Sequence, residues 1–458
     1  MSKPVESLSA ADLAIAQAAL GIPPALSGFG RRKRQLINNT RLAQFVSTPG
    51  SGNAITAAAD SANGGWHSSH DLISMTLTTG NTANKNILVA LPAKPTFPTC
   101  GNGVPFYVTG EFKVPLATYL EIMLDDGAGN NIIYLRVGLS NNTVYVTPTG
   151  GSALTPAPTN FDQSQDFRLT FVVVPTGIGT GDVSVFLHYS DSVSSQEVQA
   201  FLGKVSYSTI AIPRQVTIKN GALSQTGSAT VARLRAYELL GVMVGCSLEA
   251  GYAGWAPDPN RGRNFSPNSY NEDRNPAMNL SQLLNGDDDL LLNHACGGFT
   301  VDQMSAGFTD WCLSLAPQLV VVGQATNSLV GVMANFAAGS ARAAEMARLK
   351  SLYLAMVQAA LTQGAVVLAL GITPRSDASI TDFGTVAEFK ALALDWNAWM
   401  QSVIKPLGAR VCDAFSLLED PGVPGSMLAA YDEGDKVHFA WKAQRLLAER
   451  QYRALMGG

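Results

Sequence analysis

Apolar and polar positions follow two different rhythms along this chain, with a change near residue 236. From about residue 40 to 235, short runs alternate apolar and polar side chains at a period of two. These runs are Phe106 to Val114, Tyr119 to Leu124, Ile132 to Val137, Thr143 to Val146, Phe167 to Val174 and Val183 to Tyr189. Turn signals separate them: Asp126-Gly127, Gly129-Asn130, Asn141-Asn142, Gly150-Gly151 and Gly179 to Gly181. Many short strands with no helical period predict an antiparallel β-sandwich of the jelly-roll or lectin-like kind over residues 40–235.

After residue 236, strand-like runs alternate with helical ones. Strands are expected at Tyr237 to Gly245, Leu290 to Cys296, Gln318 to Gly323, Ala365 to Ile372 and Ala409 to Ala414. Helices are expected at Met278 to Leu284, Val301 to Leu315, Ser340 to Thr362, Val386 to Ile404 and Phe439 to Met456. The long helix places Met346, Leu349, Leu352 or Tyr353, and Met356 on one face. This alternation predicts a doubly wound, flavodoxin-like parallel sheet over 236–458. Residues 1–39 form a third segment. There Leu13, Ala16 and Leu20 at helical spacing, with Ser9 and Asp12 at the start, predict a capped helix that Pro23-Pro24 ends. A helix that short needs a packing partner.

Composition narrows the class. Apolar residues make up 46% of the 458 and charged residues only 14%, which suits a β-rich, Gly- and Ser-rich extracellular type of surface. A formal charge of −4 gives no case for nucleic-acid binding, and Arg31-Arg32-Lys33-Arg34 reads as a solvated junction. No run of apolar residues is long enough for a membrane span, and the N-terminus lacks a signal-peptide pattern. The five cysteines, Cys100, Cys246, Cys296, Cys312 and Cys412, are scattered without metal-ligand spacing and are expected as buried free thiols. No metal and no cofactor is implied. Trp66, His67 and His70 read as a surface loop.

Ligands of a doubly wound sheet sit beyond the carboxyl ends of its strands. Ser247 follows the first strand, Gly297-Gly298 the second, and Asn327 the third. Asp435 and His438 fall between the last strand and the last helix. That set suits acyl transfer to water. Ser247 is the candidate nucleophile, His438 the proton carrier and Asp435 the group that orients the imidazole. The N–H groups of Ser247 and Gly298 and the side-chain amide of Asn327 are the candidate oxyanion donors. Taken singly, each residue has a plainer reading as a cap or a turn. Their order, each after its own strand, carries the catalytic one. Between Glu249 and Met278, a polar stretch holds Tyr252, Trp255, Arg261, Arg263, Phe265, Tyr270 and Arg274. Aromatics and arginines there suit sugar stacking and acidic sugar groups, or equally a variable surface loop.

The chain here resembles the SGNH, or GDSL-type, hydrolases. The block G-D-S-L is similar to Gly245-Cys246-Ser247-Leu248, and N-x-x-x-x-G-x-T to Asn293 through Thr300. G-x-N-D is similar to Ala325-Thr326-Asn327-Ser328, and D-x-x-H to Asp435 and His438. Cys246, Ala325 and Ser328 depart from the pattern. The resemblance covers about 236–458 and implies a serine esterase. The layout of helix, β domain and hydrolase domain looks like a bacteriophage tail spike or fibre. That layout implies a homotrimer among virion tail proteins, acting outside the cell, with a bacterial surface polysaccharide as partner and O-acetyl groups as substrate. The alternatives are a secreted bacterial enzyme, a general carboxylic-ester or lipid hydrolase, and a non-enzymatic glycan-binding adhesin.

Overall fold

The structure is a computed structural model of the chain. It describes residues 35–38, 46–48, 54–59, 71–77, 85–90, 105–114, 119–126, 131–137, 144–148, 158–165, 167–177, 180–194, 197–207, 215–221, 227–250, 276–285 and 291–457. The helix expected at Ser9 to Leu20, the His67 loop, Cys100 and the aromatic and arginine stretch after Glu249 lie outside the described residues. Among the described residues, 35–239 and 240–457 belong to two separate compact units.

The first unit holds an eight-stranded and a six-stranded sheet. In the first sheet, Phe106–Lys113 sits between Phe167–Gly177 and Gly227–Glu238. In the second, Tyr119–Asp125 sits between Asn131–Val137 and Gln215–Gly221. Every ladder among these strands is antiparallel. The period-two pattern explains the core. Phe106, Val108, Phe112, Phe167 and Leu187 of one sheet share a hydrophobic cluster with Leu120, Ile122, Ile133, Leu135 and Ile218 of the other. Phe161 and Phe112 add aromatic contacts on Phe167, at centroid distances of 5.2 and 5.8 Å.

Three strands that alternation did not reveal complete these sheets on the C-terminal side: Glu197–Tyr207, Gln215–Gly221 and Gly227–Glu238. In the first of them, Val198, Ala200 and Leu202 face the core, but so do Val205 and Tyr207. The parity changes at Gly203, where φ is +133° and the pairing with Val185 and Phe186 slips. A bulge of this kind erases the sequence alternation while preserving the strand. Nor does alternation mark Ala54–Ala59, whose sequence is AITAAA, or Gln35–Asn38, which pairs with Gly227–Glu238. The expected boundaries at 39/40 and 235/236 therefore shift. Gln35–Asn38 and the end of Gly227–Glu238 belong to the β unit.

The second unit is built on five parallel strands, β1 Gly241–Val244, β2 Leu291–Asn293, β3 Leu319–Val322, β4 Val366–Leu370 and β5 Arg410–Cys412. Their order is 2-1-3-4-5. This is the flavodoxin-like order, and its reversal point lies at β1, between β2 and β3. Near-continuous apolar strands such as LVVV at Leu319–Val322 are what a sheet buried on both faces demands. Helices Pro276–Asn285 and Trp441–Leu455 cover one face, where Leu280, Leu284 and Leu455 join Met243, Leu319, Val321, Leu368 and Leu370. Helix Ser340–Thr362 packs against β3 and β4.

Three expected elements change, and one helix is added. The run from Tyr237 to Gly245 is two strands, because the chain leaves an antiparallel ladder at Glu238 and enters a parallel one at Gly241. The helix expected from Val301 to Leu315 stops at Trp311 and ends in a 3₁₀ turn whose last cap, Ala316, is left-handed at φ 49°. The helix expected from Val386 to Ile404 is α only to Trp399 and finishes in a π turn. An additional helix, Thr326–Asn335, starts directly after β3. Among the described residues, no helix is long and apolar enough to cross a membrane.

Candidate active site

The site is built at the carboxyl ends of β1, β2 and β3. After Val244 the chain turns through Gly245 and Cys246 and starts a short helix, Ser247–Ala250. Two glycines permit this turn. A Cβ on Gly245 would meet Glu249 Oε2 at 2.5 Å, and one on Gly323 would meet the Gly245 Cα at 2.6 Å. The strand ends therefore close around the buried Glu249 carboxyl. Its Oε2 accepts from the N–H of Cys246 (3.0 Å) and its Oε1 from the N–H of Gln324 (3.3 Å). Its carbonyl accepts from the Asn293 amide at 2.9 Å. One residue thus ties the ends of three adjacent strands beneath Ser247. Burial pushes the Glu249 carboxyl up to about 6, against the hydrogen bonds from Cys246 and Gln324.

Ser247 Oγ lies 2.9 Å from His438 Nε2. The other ring nitrogen, Nδ1, lies 2.6 Å from Asp435 Oδ2. A carboxylate only accepts, so Nδ1 carries the proton and donates it. Nε2 is then the lone-pair nitrogen that accepts from the Ser247 hydroxyl. Asp435 Oδ1 also accepts from the backbone N–H groups of Val437 (2.9 Å) and His438 (2.8 Å). The D-x-x-H spacing is therefore both a local cap and an orienting device. Burial alone would raise the Asp435 carboxyl. The hydrogen bonds from His438 outweigh it and hold that carboxyl well below the usual carboxylate range. The loop takes a left-handed turn at Lys436, φ 64°, and Lys436 O accepts from the Ser376 N–H at 3.2 Å.

The second cluster lies after β2 and β3. Gly298 is exposed and has φ +78°, a left-handed conformation that glycine adopts without steric cost. Phe299 O accepts from Asn327 Nδ2 at 3.1 Å, which places the Asn327 amide beside the Gly298 turn. Thr300 caps the following helix with Gln303 in a capping box. Ser328 Oγ accepts from the N–H of Val301 at 2.8 Å and so joins the two helix starts.

Two of the departures from the family pattern now have physical readings. Ser328 serves the Val301 N–H. Cys246 is buried, its thiol contacts Glu249 Oε2 at 3.4 Å, and burial followed by that carboxylate pushes its pKa well above the ordinary thiol value. A thiol held protonated in this way is no nucleophile. Cys296, Cys312 and Cys412 are likewise buried, and none of them forms a disulfide.

The structure thus brings Ser247, His438 and Asp435 together, and Gly298 beside Asn327. Tyr252, Trp255, Arg261, Arg263 and Tyr270 lie outside the described residues. Sequence reading overlooked Glu249 and Arg375. Glu249 stands three residues after Cys246, the spacing of a capping box in which a cysteine replaces the serine. Arg375 follows β4, five residues beyond Leu370, with no motif spacing to mark it. Its Nη1 donates to Asn327 Oδ1 at 3.3 Å. Among the described residues, no three His, Cys, Asp or Glu side chains cluster so as to hold a metal ion.

No family model and no curated protein matches the sequence. Solved structures do resemble the chain over about half its length. One is a GDSL-like lipase from Bacteroides thetaiotaomicron, at 14% identity, TM-score 0.34, with 47% of this chain and 86% of that one covered. Another is a catalytic mutant of Axe2, an acetylxylan esterase from Geobacillus stearothermophilus, at 11% identity, TM-score 0.33, with 47% and 92% covered. A third is the acetyl xylan esterase AlAXEase, at 18% identity, TM-score 0.32, with 46% and 98% covered.

Proposed function

We propose that the chain is a serine esterase of the SGNH type, a carboxylic ester hydrolase with Ser247, His438 and Asp435 as its triad. The observation that carries this reading is the continuous hydrogen-bonded line from Ser247 Oγ to His438 Nε2 (2.9 Å) and from His438 Nδ1 to Asp435 (2.6 Å). This line stands at the carboxyl edge of a parallel sheet, where doubly wound folds bind their ligands.

In this reading, Ser247 Oγ attacks the ester carbonyl as His438 Nε2 takes its proton. The tetrahedral oxyanion is met by the N–H groups of Ser247 and Gly298 and by Asn327 Nδ2. Collapse expels the alcohol, which receives the proton from His438. Water, deprotonated by the same nitrogen, then releases the acid and restores Ser247. Asp435 stays ionised throughout and stabilises the imidazolium. Each oxyanion donor contributes about 3 kcal/mol of barrier lowering in comparable chemistry.

The substrate we propose is an O-acetyl group on a bacterial surface polysaccharide, in a trimeric phage tail spike. Support for this finer reading is the layout of a β unit ahead of an α/β unit and the low charge of the whole chain. In it, the β unit is a sandwich that binds glycan or spaces the enzyme from its attachment.

The test is acetate release from purified bacterial surface glycans, with p-nitrophenyl acetate as a general ester, comparing the wild type with Ser247→Ala. Loss of both activities in the variant is expected. Full activity in Ser247→Ala removes the esterase reading, while ester activity without glycan activity removes only the polysaccharide.

A further inference from the structure

We propose that Arg375 is a positioning residue for this reaction. It fixes the Asn327 side-chain amide in the one orientation that offers an N–H to the oxyanion. The proposal rests on the esterase reading above and adds to it a residue outside the four motif blocks.

Arg375 lies just beyond β4, with its side chain only 11% exposed. Its guanidinium is held from three sides. Nε donates to Asp377 Oδ1 at 2.6 Å, and Nη2 donates to Asp377 Oδ2 at 3.0 Å and to Ser379 Oγ at 2.8 Å. Asp377 also accepts from the hydroxyl and the N–H of Ser379. The Arg375 N–H donates to Gly425 O at 3.2 Å, which anchors the backbone of the loop. The remaining arm, Nη1, reaches Asn327 Oδ1 at 3.3 Å.

The Asn327 amide is thereby defined at both ends. Its oxygen accepts from a cation, and its nitrogen donates one proton to Phe299 O at 3.1 Å. Flipping the amide would set Oδ1 against the Phe299 carbonyl and Nδ2 against the guanidinium. Both new contacts are repulsive, acceptor on acceptor and donor on donor. The flip is therefore closed, and the second Nδ2 proton is the one left for the substrate. A cation on the amide oxygen also polarises the group and strengthens its N–H as a donor.

The fork matters as much as the charge. A planar guanidinium makes four contacts at once, two to a carboxylate, one to a hydroxyl and one to an amide, which the three protons of an ammonium do not supply. Burial would raise the Asp377 carboxyl, but the hydrogen bonds from Arg375 and Ser379 outweigh it and hold it below the usual carboxylate range. The anchor is therefore held in its charged form.

A simple loop staple at Arg375 would also slow the enzyme if removed, so the test must separate the two. The measurement is a double-mutant cycle in kcat for p-nitrophenyl acetate: wild type, Arg375→Ala, Asn327→Ala and the double variant, each with KM and a melting temperature. Removing one oxyanion donor costs about 10²- to 10³-fold in kcat. Arg375→Ala is expected to cost about tenfold or more, with KM nearly unchanged, and to cost almost nothing once Asn327 is alanine.

Arg375→Lys should keep part of the rate, and Asp377→Asn should lose rate in the same Asn327-dependent way. These two variants run the same cycle if Arg375→Ala fails to fold. An equal loss in both Asn327 backgrounds, or a rate within twofold of wild type, overturns the proposal and leaves the esterase reading standing. A wild type with no ester activity overturns both.

Discussion

The two units bury their polar side chains in opposite ways. In the β unit, buried polar residues pair sideways across ladders. Thr109 and Thr170 stand opposite each other and share a hydrogen bond at 2.9 Å. Arg168 stands opposite His188, with Nη2 to Nδ1 at 2.7 Å. Both pairs lie within the ladders, among neighbours that are buried too. In the α/β unit, buried or half-buried Glu249, Asn293, Gln324, Asn327, Arg375 and His438 gather at one edge of the sheet, where the strands stop. Thr373, after β4, adds its N–H and hydroxyl to Gln324 Oε1, both at 2.9 Å. A polar pair inside a ladder is stabilising architecture. A polar set beyond the strand ends has an open side, and an open side can admit a substrate.

The sharpest way to break this contrast is Ser247→Ala. It should lower kcat for p-nitrophenyl acetate by about 10⁵-fold while leaving the melting temperature within a few degrees. Next comes Asp435→Asn, which keeps the shape but lets the imidazole choose the wrong tautomer. A fall of about 10³- to 10⁴-fold in kcat is expected, read on the same substrate. Retention of more than a tenth of the rate would reduce Asp435 to a loop cap.

Glu249 gives a smaller effect, read as stability. Its folded value of about 6 lies above the ordinary 4.5, so the fold favours the protonated form. That contribution is fully present below pH 4.5 and is lost as pH rises through about 6. The difference corresponds to about 2 kcal/mol. Denaturant unfolding of wild type and Glu249→Gln at several pH values should show this slope only in the wild type. Asp435 acts with the opposite sign. Its lowered value gives stability above the ordinary 3.8 that is lost only in stronger acid, outside the Glu249 window.

The smallest effect belongs to the β unit. Thr170→Val strands the Thr109 hydroxyl and should cost about 1 kcal/mol in unfolding free energy, with kcat unchanged. A change in kcat there would erase the distinction drawn between the two kinds of buried polarity.

Most elements of the α/β unit were legible because they are long or strongly apolar. Runs such as LVVV at Leu319–Val322 and the striped helix Ser340–Thr362 announce themselves without their neighbours. Ser247, Gly298, Asn327, Asp435 and His438 were legible for a related reason. In a parallel sheet, every strand end faces the same crevice, so position along the chain stands in for position in space. The β unit was half legible. A bulge at Gly203 resets the side-chain parity, and AITAAA at Ala54–Ala59 carries no alternation to read.

What the sequence determined alone is the list of strand-end residues and the local spacings that orient them, such as Asp435 three before His438. Those depend on chain geometry within a turn or an element. Only the tertiary structure decided that Glu249 ties three strand ends and that Arg375 grips Asn327 from beyond the neighbouring strand. Contacts between residues 48 or 75 positions apart arise from how strands stack side by side. That stacking is set by the summed packing of both faces of the sheet, which no local pattern encodes.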